Sequence, residues 1–302
     1  MIYIKPLLIF LVINIITVIY LKKLSLVLNI YDNPNKRKIN KKKTPLLGGL
    51  IIIINLIVFF FLKLFNFFEQ YPQNEVFISS NLNLLVLFSL IIFLVGLFDD
   101  KYDLNPNLKL FILTIIISIF LYFDNSLLLK NINFSFLDKN YNIGNYSYIL
   151  TVLCYLLFIN ACNMFDGINI QSGSYFLIFI ITLSILDSFT IFNLVIIFSI
   201  IIFLILNYNG KIFMGDGGIY LLSFLLGYIS IKTYNLKIIN DVDTIFLIMM
   251  IPGFDMLRMF VTRIIKKKNP FRPDKNHLHH LLLLKLNYYK TILILNILIL
   301  LP

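Results

Sequence analysis

This sequence predicts an all-α fold, a polytopic membrane bundle of about ten transmembrane helices whose polar loops gather on one face. Three observations carry that prediction. Hydrophobic residues make up 59% of the 302-residue chain and charged residues only 14%, too little charge to clothe a soluble domain of this size; the mean hydropathy is +0.89. Apolar runs long enough to cross a hydrocarbon core about 30 Å thick recur along the whole length. Basic residues are not scattered between those runs but concentrated after every second one.

Measured against roughly 20 residues per crossing, spans are expected near residues 3–24, 46–68, 82–98, 108–123, 147–165, 172–187, 189–207, 217–233, 244–262 and 287–302. The first does not read as a cleaved signal peptide. The stretch "NIITVIYLKKLSLVLNIYDN" offers no small-residue cleavage site, and its basic residues follow the apolar run. The last, "NYYKTILILNILILLP", is short and stops as a truncated end would. No repeat of fixed period and no soluble-sized loop interrupts the series, so residues 1–302 read as a single domain. Cys154 and Cys162 lie in one apolar run without CxxC spacing, which suggests neither a disulfide framework nor a thiolate metal site.

The net charge of +11 does not call for a nucleic-acid partner, because lysines held at the cytoplasmic edge of a membrane account for it. Of the 26 Lys and Arg residues, Lys5, Lys63, Lys130, Lys139, Lys232 and Lys237 lie elsewhere; all others fall at or near the loops after spans 1, 3, 5, 7 and 9. Those loops are expected to be cytoplasmic, with both termini outside.

The same five loops hold the clusters that look chemical: "YDNPNKRKINKKKTPLLGG", "GLFDDKYDLNPNLK", "NACNMFDGINIQSG", "YNGKIFMGDGG" and "PGFDMLRMFVTRIIKKKNPFRPDKNHLHH". In the second, Asp99 and Asp103 would share a helix face with Asp100 turned about 100 degrees away. Acids at a membrane edge are costly unless paired, which makes them functional candidates, with a helix end enriched in Asp as the competing account. In the third, Asn160, Asn163 and Asp166 form a stripe before a helix-stopping Gly167. Such amides suit a base or an N-acetyl group, and interhelical polar glue is the competing account. In the fourth, Asp216 stands among Gly215, Gly217 and Gly218 at the opening of a span. Glycines there would let a backbone approach a phosphate, and a hard carboxylate suits Mg²⁺; a tight turn is the plainer alternative.

The chain's 3 histidines are His277, His279 and His280, just downstream of Lys266, Lys267, Lys268, Arg272 and Lys275. On a helix His277 and His280 would share one face and His279 another. A zinc site would need a further ligand, whereas a clamp of imidazoles and cations around a pyrophosphate needs none.

In this order and on one face, "GLFDDKYDLNPNLKL", "NACNMFDG", "FMGDGG" and "NPFRPDKNHLHHLL" resemble the polyprenyl-phosphate N-acetylhexosamine-1-phosphate transferases, and "DNPNKRKINKKKTPLLGG" is similar to that family's first cytoplasmic loop. The "HLHH" arrangement looks closer to the branch using UDP-N-acetylglucosamine than to the muramoyl-pentapeptide transferase. Two departures bear on specificity: Asn169 and Ile170 stand where a second Asp-Gly is common, and Ile219 where a small polar residue is common.

The resemblance implies an enzyme of the bacterial cytoplasmic membrane that moves a sugar-1-phosphate from a UDP-N-acetylhexosamine onto undecaprenyl phosphate, releases UMP and starts a cell-envelope glycan. It implies Mg²⁺, with Mn²⁺ as a substitute, held by Asp216 with Asp100. Asp99 is the expected base toward the lipid phosphate, or the nucleophile of a covalent aspartyl-phosphate route. Asn160, Asn163 and Asp166 are expected to hold the nucleotide-sugar, and His277, His279, His280 and Arg272 the pyrophosphate. The muramoyl-pentapeptide transferase is the rival within the class and a transporter or flippase the rival outside it, although the carboxylates sit at span ends rather than centres. The oligomeric state stays open, a homodimer included.

Overall fold

In the computed structural model the chain is described at residues 4–32, 43–68, 81–267 and 276–301. Every expected span coincides with a helix. These are α1 (Ile4–Leu28), α2 (Gly48–Leu64), α3 (Leu82–Tyr102), α4 (Pro106–Phe123), α5 (Ser147–Phe165), α6 (Gln171–Leu186), α7 (Ile191–Tyr208), α8 (Gly215–Asn235) and α9 (Val242–Ile265), then a short α10 (Leu278–Lys285) and α11 (Tyr288–Leu300). By length and composition, six helices among the described residues are long and apolar enough to cross a membrane, while α2, α6 and α11 are shorter apolar helices.

The side chains are arranged as lipid requires. α1 buries Asn14, Thr17 and Ser25 and turns Val12, Ile15 and Ile19 outward; α4 likewise exposes Phe111, Ile115 and Ile119. An amide in hydrocarbon must find a partner inside the bundle. Asn14 and Asn55 of α2 accordingly exchange reciprocal hydrogen bonds of 3.1 and 2.8 Å.

α8 is the hub. From Gly217 to Tyr234 every residue is buried, so this helix faces protein on all sides and carries Gly217, Gly218, Ser223, Gly227, Ser230 and Thr233 where a lipid-facing helix would carry Leu or Ile. Small residues let helix backbones approach. A Cβ on Gly96 of α3 would lie 2.4 Å from the Gly217 Cα, and one on Gly49 of α2 would lie 2.5 Å from the Gly218 Cα. Gly217 and Gly218 of "MGDGG" therefore serve close helix contact.

Two small antiparallel sheets supplement the all-α expectation. β1 (Tyr31–Asp32) pairs with β2 (Thr44–Pro45), and the Phe213 N–H donates to the Pro45 carbonyl at 2.9 Å, which docks the first loop on the segment before α8. At the opposite end, the plain-looking stretch after span 4 is a hairpin of β3 (Asn131–Phe134) and β4 (Leu137–Asn142). Its Asn133 N–H donates to the Tyr234 hydroxyl at 2.8 Å, and Ser135 bonds to Asp243. The alternation in "NINF" carries the strand signal, too short to register beside the apolar helices.

Candidate active site

Four helix ends meet at one end of the bundle. α3 runs past its expected end to Tyr102, where Asp103 adopts a left-handed conformation (φ 50) and closes the helix. Asp103 is thus exposed in the turn and shares no helical face with Asp99. Asn105 then caps α4 by accepting from the Asn107 N–H, with Pro106 at the first helical position. The tight α3–α4 connection folds Lys109 back onto Asp99.

Asp99 and Asp100 occupy different surroundings. Asp99 is buried; its Oδ2 accepts from the Lys109 Nζ at 2.7 Å and the Tyr220 hydroxyl at 2.8 Å, and its Oδ1 from the Leu104 N–H at 3.0 Å. Asp100 directs Oδ1 to the Asp216 N–H at 2.9 Å and Oδ2 to the Gly217 N–H at 3.2 Å. A carboxylate here satisfies two of the backbone donors orphaned at a helix N-terminus and matches the positive end of its dipole. Gly215 makes this approach achievable. Its φ is +73, and a Cβ there would lie 2.6 Å from the Asp100 Oδ2.

Asp216 is the open carboxylate of the group. Its side chain is 30% exposed, against 1% for Asp99. Its Oδ1 accepts from the Asn163 Nδ2 at 2.8 Å, and its Oδ2 lies 3.9 Å from the Lys109 Nζ. Three carboxylates thus converge with one ammonium, an excess of negative charge made of hard oxygen donors, which fits a divalent cation. Among the described residues no three His, Cys, Asp or Glu side chains are arranged to share a metal ion. Mg²⁺ does not require that, since it is commonly held by one or two carboxylates with phosphate oxygens and water.

The last turn of α5 joins this group to the histidines. Asn163 faces Asp216; Asp166, just beyond the helix, accepts from the Ser172 hydroxyl at the start of α6. Burial pushes the Asp166 carboxyl up to about 6, against the pull of that hydroxyl. Gly167 follows without a positive φ, so it does not terminate the helix in the left-handed manner. It is glycine because His279 packs on it, a Cβ there falling 1.9 Å from the imidazole Nε2. Asn160, one turn before Asn163 on α5, donates to the Leu156 carbonyl of its own helix at 2.7 Å.

The imidazoles stack instead of dividing between helix faces. His277 is the extended N-cap residue of α10 (φ −61, ψ 154) and not part of the helix, which removes the expected i, i+3 relation. Its ring lies parallel to His279 at 5.7 Å between centroids, and His279 meets His280 at 4.3 Å. His279 is only 2% exposed, and burial, with His280 and His277 beside it, lowers its pKa to about 3. It is neutral at physiological pH and brings no positive charge. Arg272 lies outside the described residues.

Five residues escaped the sequence reading. Lys109 was visible only as one cytoplasmic charge among many, and Tyr220 and Ser172 as ordinary helix residues. Asp255 and Arg258 stood in the quoted "PGFDMLRM", where an acid within an apolar run was itself a signal.

The chain is similar in sequence to known transferases. The chain is 27% identical over 289 residues to a probable undecaprenyl-phosphate N-acetylglucosaminyl 1-phosphate transferase of Bacillus subtilis (strain 168), covering 90% of this chain and 76% of that protein. It is 28% identical to an undecaprenyl-phosphate alpha-N-acetylglucosaminyl 1-phosphate transferase of Thermotoga maritima (87% and 76% covered) and 26% identical to one of Yersinia pestis (87% and 72% covered). Residues 82–234, running from α3 to the end of α8, match the family model of glycosyl transferase family 4. The matched half of the chain contains Asp99, Asp100, Asn163, Asp166 and Asp216, and the chain belongs to glycosyl transferase family 4.

Proposed function

We propose that this protein transfers an N-acetylhexosamine-1-phosphate from a UDP-sugar to undecaprenyl phosphate, giving a polyprenyl-pyrophosphate-linked sugar and UMP. The observation that carries the reading is the convergence of Asp99, Asp100, Asp216, Asn163 and Lys109, one turn of α5 away from the Gly167–His279 contact. Supporting it are the names of the relatives, which are undecaprenyl-phosphate N-acetylglucosaminyl 1-phosphate transferases.

In the reaction a lipid phosphate oxygen attacks the sugar-linked phosphorus of the donor. The bond from that phosphorus to the bridging oxygen breaks, and the bridging oxygen leaves on UMP. Such a displacement between anions needs alignment and charge neutralisation more than covalent help. A phosphomonoester with a second pKa of about 6 is already largely ionised at neutral pH, so the acceptor needs little base. Asp99, with both oxygens engaged by three donors, suits holding Lys109 toward the acceptor phosphate, and its burial favours direct displacement over an aspartyl-phosphate. Asp216, its N-terminal helix turn fixed by Asp100, would hold Mg²⁺, which neutralises phosphoryl charge when bound. Asn163 orients Asp216, Asp166 and Asn160 lie on the nucleotide-sugar side, and His277 and His280 donate to the pyrophosphate, with Arg272 as a further cation.

The site is proposed to face the cytoplasm, where a soluble UDP-sugar meets a lipid phosphate at the interface of a bacterial inner membrane. Starting a cell-envelope glycan, such as an O-antigen or a teichoic acid, is the process this product would serve. Membranes containing the protein should release UMP from a UDP-N-acetylhexosamine only when undecaprenyl phosphate and Mg²⁺ are both present. Release from the muramoyl-pentapeptide donor alone would select the other branch, and lipid-independent or absent release across a panel of UDP-sugars would sink the reading.

A further inference from the structure

Asp255 lies within the apolar helix α9, close after Pro252. It is only 6% exposed, and an acid placed so is costly without strong partners. It has four hydrogen-bond contacts. The Arg258 Nη2 and Nε donate to its Oδ1 at 2.7 and 3.3 Å, the Leu278 N–H donates to the same oxygen at 3.0 Å, and the His277 Nδ1 lies 3.0 Å from Oδ2. Arg258 also donates to the Asn276 carbonyl. One turn of α9 therefore grips residues 276, 277 and 278 in succession, where α10 begins.

Capping α10 needs only one oxygen on a backbone N–H, and Oδ1 supplies it. Oδ2 is left for an imidazole. An ionised carboxylate only accepts, so the ring nitrogen facing it must carry a proton, and Nε2 is then the nitrogen turned away from Asp255. The other tautomer would oppose two lone-pair atoms at 3.0 Å.

We propose that Asp255 is a positioning residue: it keeps one proton on the His277 Nδ1 and fixes the ring against α9, so that Nε2, carrying the second proton of the imidazolium, donates to the donor's phosphates. The proposal rests on the reading of His277 as a phosphate-binding group. Arg258 completes the device by holding both the carboxylate and the backbone before His277.

The chain's 3 histidines make the test direct. Purified protein labelled with ¹⁵N-histidine should show three ring spin systems, assigned by loss of one signal pair in His279→Ala and one in His280→Ala. His277 should carry a proton on Nδ1; a bare Nδ1 in the unsubstituted protein overturns the proposal, and this needs no Asp255 variant to fold. In turnover assays Asp255→Asn should lower kcat/KM for the UDP-sugar by roughly 10- to 100-fold, the scale seen for carboxylates that orient a histidine, with Asp255→Glu recovering part of the loss. In a His277→Ala background the same substitution should cost less than about threefold, because residues acting through one another are not additive. Fully additive losses would mark Asp255 as a structural cap only and overturn the pairing. Full activity in His277→Ala alone would instead remove the phosphate-binding reading of His277, a failure the tautomer measurement does not share.

Discussion

Asp99 and Asp100 are neighbours in sequence and opposites in surroundings. One faces a lysine and a tyrosine side chain; the other faces two backbone N–H groups of α8. Asp216, brought beside them, is the exposed member, and Asp216→Asn keeps its size while removing its charge. Turnover should fall by roughly 10²-fold or more while the protein still inserts, as checked by UMP release across a Mg²⁺ titration; a near-normal rate throughout would displace Asp216 from the metal role. Lys109→Met should leave Asp99 buried without its cation, a loss of about 3–5 kcal/mol for a broken buried pair, visible as a lower apparent Tm. The pH dependence of stability should carry His279's signature. Its folded pKa, about 3, lies below the ordinary 6.5, so its contribution is present above pH 6.5 and lost as pH falls, about 2 kcal/mol by pH 5. Asp166 acts oppositely: with its carboxyl raised to about 6 from 3.8, its contribution is present below pH 3.8 and lost as pH rises through about 6. His279→Gln should therefore flatten the decline of Tm between pH 6.5 and 5, and an unchanged slope would place that decline elsewhere.

Among the elements, α8 decides the geometry, because α2 and α3 lie against its first turns at glycine-to-glycine distance. Adding a single methyl at Gly96 would drive it into the Gly217 backbone, 2.4 Å away, with no flexible side chain to yield. Gly96→Ala should cost about 1–3 kcal/mol through overpacking and should also displace Asp100 from the Asp216 and Gly217 N–H groups, which lie on the same two helices. A combined drop in Tm and activity is the expected outcome; loss of neither would show that the two helices can separate without consequence. The short α10 teaches a different lesson about elements. The sequence reading laid His277, His279 and His280 on one continuous helix, whereas Asp255 and Arg258 stop the helix at Leu278 and leave His277 extended. That outcome depends on a residue of another helix, which no local periodicity reports.

For the whole molecule, one end of the bundle collects the carboxylates, the amides and the imidazoles, and the lysines nearby are the basis for proposing that this end faces the cytoplasm. Cysteines introduced at Asn40, outside the described residues, and at the exposed Asn276 should react only with reagents applied from the cytoplasmic side. Labelling of either from outside would separate the first loop from the histidine segment and dissolve the shared site.

What the sequence determined by itself was whatever depends on local composition. Twenty-residue apolar runs must become helices where backbone groups have no water to bond, and every expected span is a helix. Carboxylates and imidazoles clustered at the ends of such runs had to lie near an interface, and they named the candidate residues. Only the tertiary structure decided which of them meet. Asp100 reaches the backbone of α8, Asn160 bonds within its own helix, and Gly217 and Gly218 beside Asp216 make room for α3 and α2. Lys109, Tyr220 and Asp255 enter as partners although nothing in their immediate sequence marks them as such, save the oddity of an acid in an apolar run. The physical reason is the same in each case: a hydrogen bond of about 3 Å depends on where two helices cross, and the crossing is set by packing around α8, a property of many residues distributed along the chain and of no single motif.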